Sequence, residues 1–184
     1  MNKKEHWTII NIETKYKSPW LEVTEEKVIH PDGKEGLFSI VKKRNSIAVL
    51  PLDKEGNVHL VRQFRYGFDK ECLEACAGII DEGEEPIKTA KRELQEELGI
   101  YAKKWTSLGI MKPQATVRQT THLFLAEELT YGDTNHEGSE IIRTEKMTFA
   151  KTIEKVMKSE ITHWASVGVI LKADNYLRTS KKKY

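Results

Sequence analysis

The chain has 184 residues, of which 39% are hydrophobic, and this composition predicts one folded domain, or one domain with a small appendage, and not a disordered chain. Its 30 basic and 28 acidic residues give a formal net charge of +2, and this balance argues against a dedicated nucleic-acid-binding protein. We find neither a secretion signal nor a run long enough to span a bilayer, so we expect a cytoplasmic protein that binds no membrane.

The first part of the chain has the pattern of strands. Residues 7–14 and 21–30 are rich in Ile, Val and Thr with partial alternation, and a Pro-Asp-Gly turn leads to a third candidate strand at 37–43. Because these strands are too few to be stable alone, they should pack on the rest of the chain or on a second subunit. We therefore expect residues 1–44 to form a small antiparallel β subdomain and residues 45–184 the main domain.

The rest of the chain mixes strands with helices, which predicts an α/β or α+β fold. Two cysteines, Cys72 and Cys76, come without a partner set of cysteines and histidines, so we expect two buried thiols and no zinc site or disulfide. The predicted elements are strands at 46–52, 58–66, 105–111 and 121–129, and helices at 86–98, 148–158 (with Thr148 as its cap) and 162–176.

The helix predicted at 86–98 has the clearest signals. Pro86 suits the first turn of a helix, and Gly99 suits the residue that ends one. Between them an apolar stripe recurs at helical spacing, at Ile87, Ala90, Leu94 and Leu98.

Three glutamates, Glu93, Glu96 and Glu97, crowd the second half of this helix. They fall within an arc of about 100° beside the apolar stripe, at spacings where like charges repel by a few tenths of a kcal/mol per pair. A solvated helix face is one interpretation of this cluster. The other is a site for a divalent cation, because carboxylate oxygens without nitrogen or sulfur ligands suit Mg²⁺ or Mn²⁺.

The surrounding sequence decides between the two interpretations. The segment 78–100, "GIIDEGEEPIKTAKRELQEELGI", resembles the Nudix box, GX5EX7REUXEEXGU with U aliphatic, at every constrained position. A phosphate-binding P-loop is excluded, because acidic residues follow the glycines where Lys and Ser or Thr would be required.

The resemblance implies an α/β fold, an α/β/α sandwich with a mixed sheet, and hydrolysis of a nucleoside diphosphate linked to another group. It implies that Glu93, Glu96 and Glu97 bind Mg²⁺, or Mn²⁺ in its place, with Glu84 assisting. It also implies catalytic roles for Glu93 and Glu97, and for Arg92 as the residue that orients the glutamates by charge-assisted hydrogen bonds.

The segment before the box, "VRQFRYGFDKECLEACAG", resembles that of ADP-ribose and nucleoside-diphosphate-sugar pyrophosphatases, with Cys76 in the usual proline position. The resemblance implies that Arg65 contacts the diphosphate and that the Ala77 carbonyl completes the metal shell. Arg62 and Gln63 are further substrate-binding candidates, and a pair of surface charges at a strand edge is the alternative for the two arginines.

In that subfamily the N-terminal strands mediate dimerisation, so the resemblance implies a homodimer. There an aromatic side chain often stacks on the base of the substrate. Trp20 and Phe38 are the candidates in this chain, and ordinary packing is the alternative for each.

Two segments after the box leave the substrate and the general base open. Relatives that act on ADP-ribose usually carry a glycine and a glutamate before the "HLFLA" strand, where this chain has Ala115 and then Gln119 or Arg118. ADP-ribose itself is therefore one candidate among several, and Arg118 is a candidate contact for a phosphate or an acidic substituent. Glu137 and Glu140 are candidate bases on a later polar loop, with solvated loop positions as the alternative.

The sequence thus predicts an enzyme that uses Mg²⁺ to hydrolyse ADP-ribose or a nucleoside diphosphate sugar to a nucleoside monophosphate and a sugar phosphate. One alternative is another diphosphate substrate, such as a dinucleotide, a coenzyme or an oxidised nucleotide. Others are a Nudix-fold sensor without turnover and an acidic helix that is purely structural. A sensor commonly loses box glutamates, and this chain keeps them all.

Overall fold

The computed structural model describes residues 2–135 and 142–180. The chain divides into two units. The first unit combines Met1–Asn45 with Lys112–Thr120, and the second combines Ser46–Met111 with Thr121–Tyr184.

The first unit is built on one sheet, whose strands in spatial order are β1 (Asn2–Lys4), β2 (Trp7–Lys17), β3 (Leu21–Ile29), β4 (Glu35–Lys43) and β10 (Val117–Arg118). Its first four strands pair antiparallel, as the sequence predicted. The fifth strand pairs parallel to β4 at Val41 and Lys42, and it comes from a much later part of the chain.

The strands of the second unit are β5 (Ser46–Pro51), β6 (Asn57–Arg65), β7 (Lys70–Glu74), β8 (Cys76–Ile79), β9 (Ile100–Met111), β11 (Thr121–Tyr131) and β12 (Arg143–Thr148), and its helices are α1 (Pro86–Leu98), α2 (Phe149–Met157) and α3 (Trp164–Ser180). These strands form two sheets. A mixed sheet has the order β8-β5-β11-β9, with β5 and β11 parallel and the outer pairs antiparallel, and an antiparallel sheet has the order β12-β6-β7.

Helices cover both faces of these sheets. Helix α1 buries Ala90 and Leu94 against Ile47 and Val49 of β5, within one apolar cluster. The next residues of the same strand, Ala48 and Leu50, point the other way, into the cluster that also contains α2 and α3. This alternation is the period-2 pattern of a strand buried on both faces. It confirms the predicted α/β/α sandwich.

The two best-marked helix predictions are confirmed. Helix α1 has proline in its first turn and ends at Gly99, whose φ of 61° is in the left-handed region that favours glycine. Thr148 caps α2 by accepting a hydrogen bond from the backbone N–H of Lys151. Cys72 and Cys76 are free and buried, also as predicted.

Among residues 2–135 and 142–180, no helix has the length and apolar character needed to cross a membrane.

A buried carboxylate holds the turn between β5 and β6. Asp53 is 7% exposed. It accepts hydrogen bonds from the backbone N–H of Asn57 at 2.8 Å and pairs with Lys146 on β12 at 2.7 Å. Burial raises the pKa of Asp53, but the bonds from Lys146 and Asn57 outweigh burial and lower it from 3.8 to about 2. The ionised form of Asp53 therefore stabilises the fold.

Asp53→Asn should lower the free energy of unfolding at pH 7 by about 2 kcal/mol, the value of the pKa difference between the unfolded and folded states. Because the folded-state pKa is depressed, this contribution is complete above pH 3.8 and is lost as the pH falls toward about 2. Urea denaturation of both proteins between pH 7 and pH 3 measures it, with the exposed Glu55→Gln as control. A difference that is as large at pH 3 as at pH 7 would contradict this account of Asp53.

Candidate active site

The residues of the segment 78–100, which resembles the Nudix box, lie at the end of β8, in the loop after it and on α1. Gly78 lies near the end of β8, Glu84 lies in the loop that follows, and Arg92 to Glu97 occupy the second half of α1. Ala90 and Leu94 fasten this helix to the sheet, and their burial turns the acidic side of α1 toward β8. The apolar stripe thus places the carboxylates beside the sheet, with Glu97 buried and Glu93 and Glu96 partly exposed to solvent.

Arg92 is the centre of the acidic cluster. Its Nη1 donates to Glu93 Oε1 at 2.8 Å and to Glu96 Oε2 at 2.9 Å, and its Nη2 donates to Glu84 Oε2 at 3.3 Å. One guanidinium therefore bridges two glutamates of the helix and one of the preceding loop. The structure thus brings together at Arg92 three of the four glutamates for which the resemblance implied a role in metal binding.

The pKa shifts follow from these contacts. The hydrogen bond from Arg92 lowers the pKa of Glu84. Burial lowers the pKa of Arg92, but its bond to Glu84 and the charge of Glu93 outweigh burial and raise it. The arginine stays charged, and it offsets part of the repulsion among its neighbours.

Glu97 is the most buried glutamate of the box, with 6% of its surface exposed. Its Oε2 accepts a hydrogen bond from the backbone N–H of Ala77 at 3.3 Å. The adjacent Cys76 is fully buried, and its pKa is raised by burial and by the negative charges of Glu97, Glu93 and Glu96. The three carboxylates thus share one region of negative potential, next to the end of β8.

Gly78 allows Glu93 to reach this region. A Cβ at position 78 would lie 2.2 Å from the Glu93 Cδ, much closer than any side-chain contact permits. The requirement for glycine is therefore steric. Glu93 and Glu97 contact two consecutive residues of β8, Gly78 and Ala77.

The donor set fits a hard divalent cation. Glu93, Glu96 and Glu97 offer carboxylate oxygens, and the backbone carbonyl of Ala77 is a further oxygen donor on the residue whose N–H contacts Glu97. Within the part of the chain that the structure describes, no three His, Cys, Asp or Glu side chains converge as a metal site. Glu93 and Glu96 are turned to Arg92, so they would have to exchange that contact for a metal ion.

Arg65 lies at the end of β6 and is held by Glu74 of β7. Its Nε donates to Glu74 Oε1 at 3.0 Å and its Nη2 donates to Oε2 at 2.7 Å, and Glu74 is 0% exposed. The bond to Glu74 raises the pKa of Arg65 against the effect of burial, and the charge of Glu97 raises it further. Glu74 therefore fixes the orientation of Arg65, and Arg65 is close enough to the acidic cluster for the charge of Glu97 to act on it.

The structure separates Arg62 from Arg65. Side chains alternate along β6, so Arg62 shares the face of Leu60, which packs with α2 and α3. Its Nη2 pairs with Glu145 of β12 at 2.6 Å. Gln63 shares the face of Arg65 by the same alternation. Of the two arginines, the strand directs Arg65 toward the side of α1.

The other predicted substrate contacts belong to the first unit. Trp20 is 65% exposed, with the Arg44 guanidinium 5.7 Å from its ring centroid. Phe38 packs with Trp7 at 5.4 Å between ring centroids, which is the alternative that the sequence left open for it. Arg118 is paired with the buried Glu26. Contact of Trp20, Phe38 or Arg118 with a substrate stays a prediction.

Glu137 and Glu140, the candidate bases on the polar loop, lie outside the described residues. Glu74 was not identified from the sequence as the residue that holds Arg65. The available signal was a lone carboxylate within the apolar stretch "CLEACAG". A charge at such a position is buried and must be paired.

Comparison with known proteins gives a consistent result. The NUDIX domain model matches residues 42–165, and the nucleoside diphosphate sugar hydrolase N-terminal domain matches residues 7–41. An ADP-ribose pyrophosphatase of Bacillus subtilis is 34% identical over 74% of this chain and 75% of its own length. One from Mycobacterium tuberculosis is 26% identical over 88% and 80%.

A solved structure of an ADP compounds hydrolase superposes on this fold with a TM-score of 0.83. The match covers 95% of both chains at 20% sequence identity, so it establishes the likeness of the folds alone.

Gly78→Ala should lower turnover by at least about tenfold, because the added methyl group displaces Glu93 from β8 and disturbs the ligand set. Steady-state rates at saturating metal measure the loss. Gly67→Ala is the matched control, since a Cβ at position 67 meets no atom within 4 Å. Equal rates in Gly78→Ala and Gly67→Ala would show that the position of Glu93 is not needed.

Proposed function

The chain belongs to the Nudix family, and from that membership we propose that it is a Mg²⁺-dependent pyrophosphatase for ADP-ribose or a nucleoside diphosphate sugar. The products would be a nucleoside monophosphate and a sugar phosphate. The observation that carries the proposal is the acidic cluster on α1, with Arg65 within its field. A diphosphate needs both features: a cation site for its charge, and an arginine for its oxygens.

Glu93, Glu96 and Glu97, with the Ala77 carbonyl, would hold Mg²⁺, or Mn²⁺ in its place, and Glu84 would assist. Such an ion neutralises the diphosphate charge and lowers the pKa of a bound water. Arg92 would keep the carboxylates in place, since it contacts Glu84, Glu93 and Glu96 directly. Arg92 would thus act by orienting the glutamates.

Arg65 would bind a diphosphate oxygen of the substrate. A guanidinium has five N–H donors in a fixed plane, and Glu74 takes two of them. Glu74 therefore fixes the plane while donors remain for an anionic oxygen, as in other arginine sites for phosphate. Gln63 lies on the same face of β6 and is a second candidate contact.

The general base is assigned to a glutamate, with Glu97, Glu137 and Glu140 as the candidates. A carboxylate is needed in the site to remove a proton from the attacking water. We propose the remaining substrate contacts, Trp20, Phe38 and Arg118, on the residue types alone.

We also propose a domain boundary, an oligomeric state and a cellular location for the protein. The match of residues 7–41 to a separate domain model supports a division near residue 44, and the subfamily resemblance supports a homodimer. Two free, buried cysteines suit the reducing cytoplasm.

Purified protein with Mg²⁺ should release a nucleoside monophosphate and a sugar phosphate from at least one of ADP-ribose, GDP-mannose and UDP-glucose. Product-resolved chromatography, with Mn²⁺ in parallel, measures this. If none is hydrolysed, the substrate class is wrong, and dinucleotides, coenzymes and oxidised nucleotides are tested next.

Glu97→Gln should then lower turnover by at least about a hundredfold with little change in melting temperature, because the amide keeps an acceptor for Ala77 but loses the charge. Glu82→Gln, on the exposed loop before α1, is the control. Normal turnover in Glu97→Gln would remove the metal assignment.

A further inference from the structure

A buried polar network connects the start of α3 to Arg65. Glu74, at the end of β7, is 0% exposed and accepts both of its strong hydrogen bonds from Arg65. The Nδ1 atom of His163, the residue directly before α3, lies 3.4 Å from Glu74 Oε2. A fully buried carboxylate thus has a second neighbour, which approaches the same oxygen, Oε2, that accepts from Arg65 Nη2.

Ser166 fixes this histidine against β7. Its Oγ lies 3.0 Å from His163 Nδ1 and accepts a hydrogen bond from the backbone N–H of Ala75 at 3.0 Å. Ser166 is fully buried, and Ala75 directly follows Glu74. The first turn of α3 therefore holds the end of β7 twice, once through the backbone at Ala75 and once through the side chain of Glu74.

The surroundings decide which nitrogen of His163 carries the proton. Burial lowers the pKa of His163, although Glu74 acts in the opposite direction, so the ring is neutral at pH 7. A neutral ring has one N–H, and a lone pair on Nδ1 would face the charged oxygen of Glu74. The proton therefore belongs on Nδ1, which donates to Ser166 Oγ at 3.0 Å and lies 3.4 Å from Glu74 Oε2.

We propose that His163 is a positioning residue for Arg65: its Nδ1–H, held by Ser166, lies against the Glu74 carboxylate and supports it, and Glu74 in turn fixes the guanidinium that receives the diphosphate. The last step rests on the proposed function. Without His163, the carboxylate keeps the arginine as an ion partner but gains rotational freedom, and the guanidinium moves with it. Such a loss weakens substrate binding more than it slows the chemical step.

Kinetics of three variants test the proposal. His163→Ala should raise KM by about tenfold, because Glu74 loses the polar contact that supports the plane of Arg65, and change kcat by less than about threefold. His163→Asn should restore KM to within about threefold of the wild type, because its amide N–H takes the place of Nδ1–H. His163→Gln, whose amide reaches the place of Nε2, should not restore it.

Thr162→Ala, an exposed neighbour, is the matched control and should keep the wild-type KM. An unchanged KM in His163→Ala, or equal KM values in the Ala and Asn variants, would overturn the proposal.

Nitrogen-15 NMR without substrate separates this proposal from the proposed function. The His163 ring should show a protonated Nδ1 and an unprotonated Nε2. The Nε–H signal of Arg65, identified by its loss in Arg65→Lys, should exchange slowly with solvent in the wild type and at least about tenfold faster in His163→Ala. A proton on Nε2, or equal exchange in the two proteins, would overturn the proposal even if the enzyme is active. If both NMR results hold and no diphosphate is hydrolysed, the proposed function fails and the positioning of Arg65 by His163 stands.

Discussion

The contact of Arg92 with three carboxylates is the interaction on which the site depends. Glu84, Glu93 and Glu96 all reach its guanidinium, and the helix could not otherwise carry so much negative charge on one side without a cost. The arginine offsets this repulsion in the free protein and yet leaves the cluster acidic. A divalent cation would complete the neutralisation, so under the proposed function the same charges would serve both the fold and the chemistry.

Close packing at β8 gives the cluster its position. Ala90 and Leu94 bury one side of α1, Gly78 leaves room for Glu93, and the backbone of Ala77 receives Glu97. Between β6 and β7, the ion pair of Arg65 with the buried Glu74 positions the arginine in a similar way. Glu74 sets the plane of Arg65, since a charge without solvent must keep its partners. Buried neighbours thus position Glu93, Glu97 and Arg65.

Local signals in the sequence predicted the parts of the fold that depend on local chemistry. Proline, glycine and an apolar stripe predicted α1 from residue 86 to 98, and the spacing of the acidic residues indicated their common site. The pairing of β10 with β4 could not be predicted, because two residues carry too little pattern and their partner is distant in sequence. The contact between His163 and Glu74 could not be predicted either, because its two residues are distant in sequence and belong to different elements. The opposite faces of Arg62 and Arg65 follow from strand alternation alone.

A Mn²⁺ titration followed by the electron paramagnetic resonance of the free ion tests the central claim most directly. The claim is that the glutamates around Arg92 exchange part of that contact for a divalent cation. Wild-type protein should remove Mn²⁺ from solution saturably, and Glu96→Gln, which alters one arginine-bound carboxylate, should bind the ion at least about tenfold more weakly. Equal binding by the two proteins would place the metal elsewhere and contradict the account.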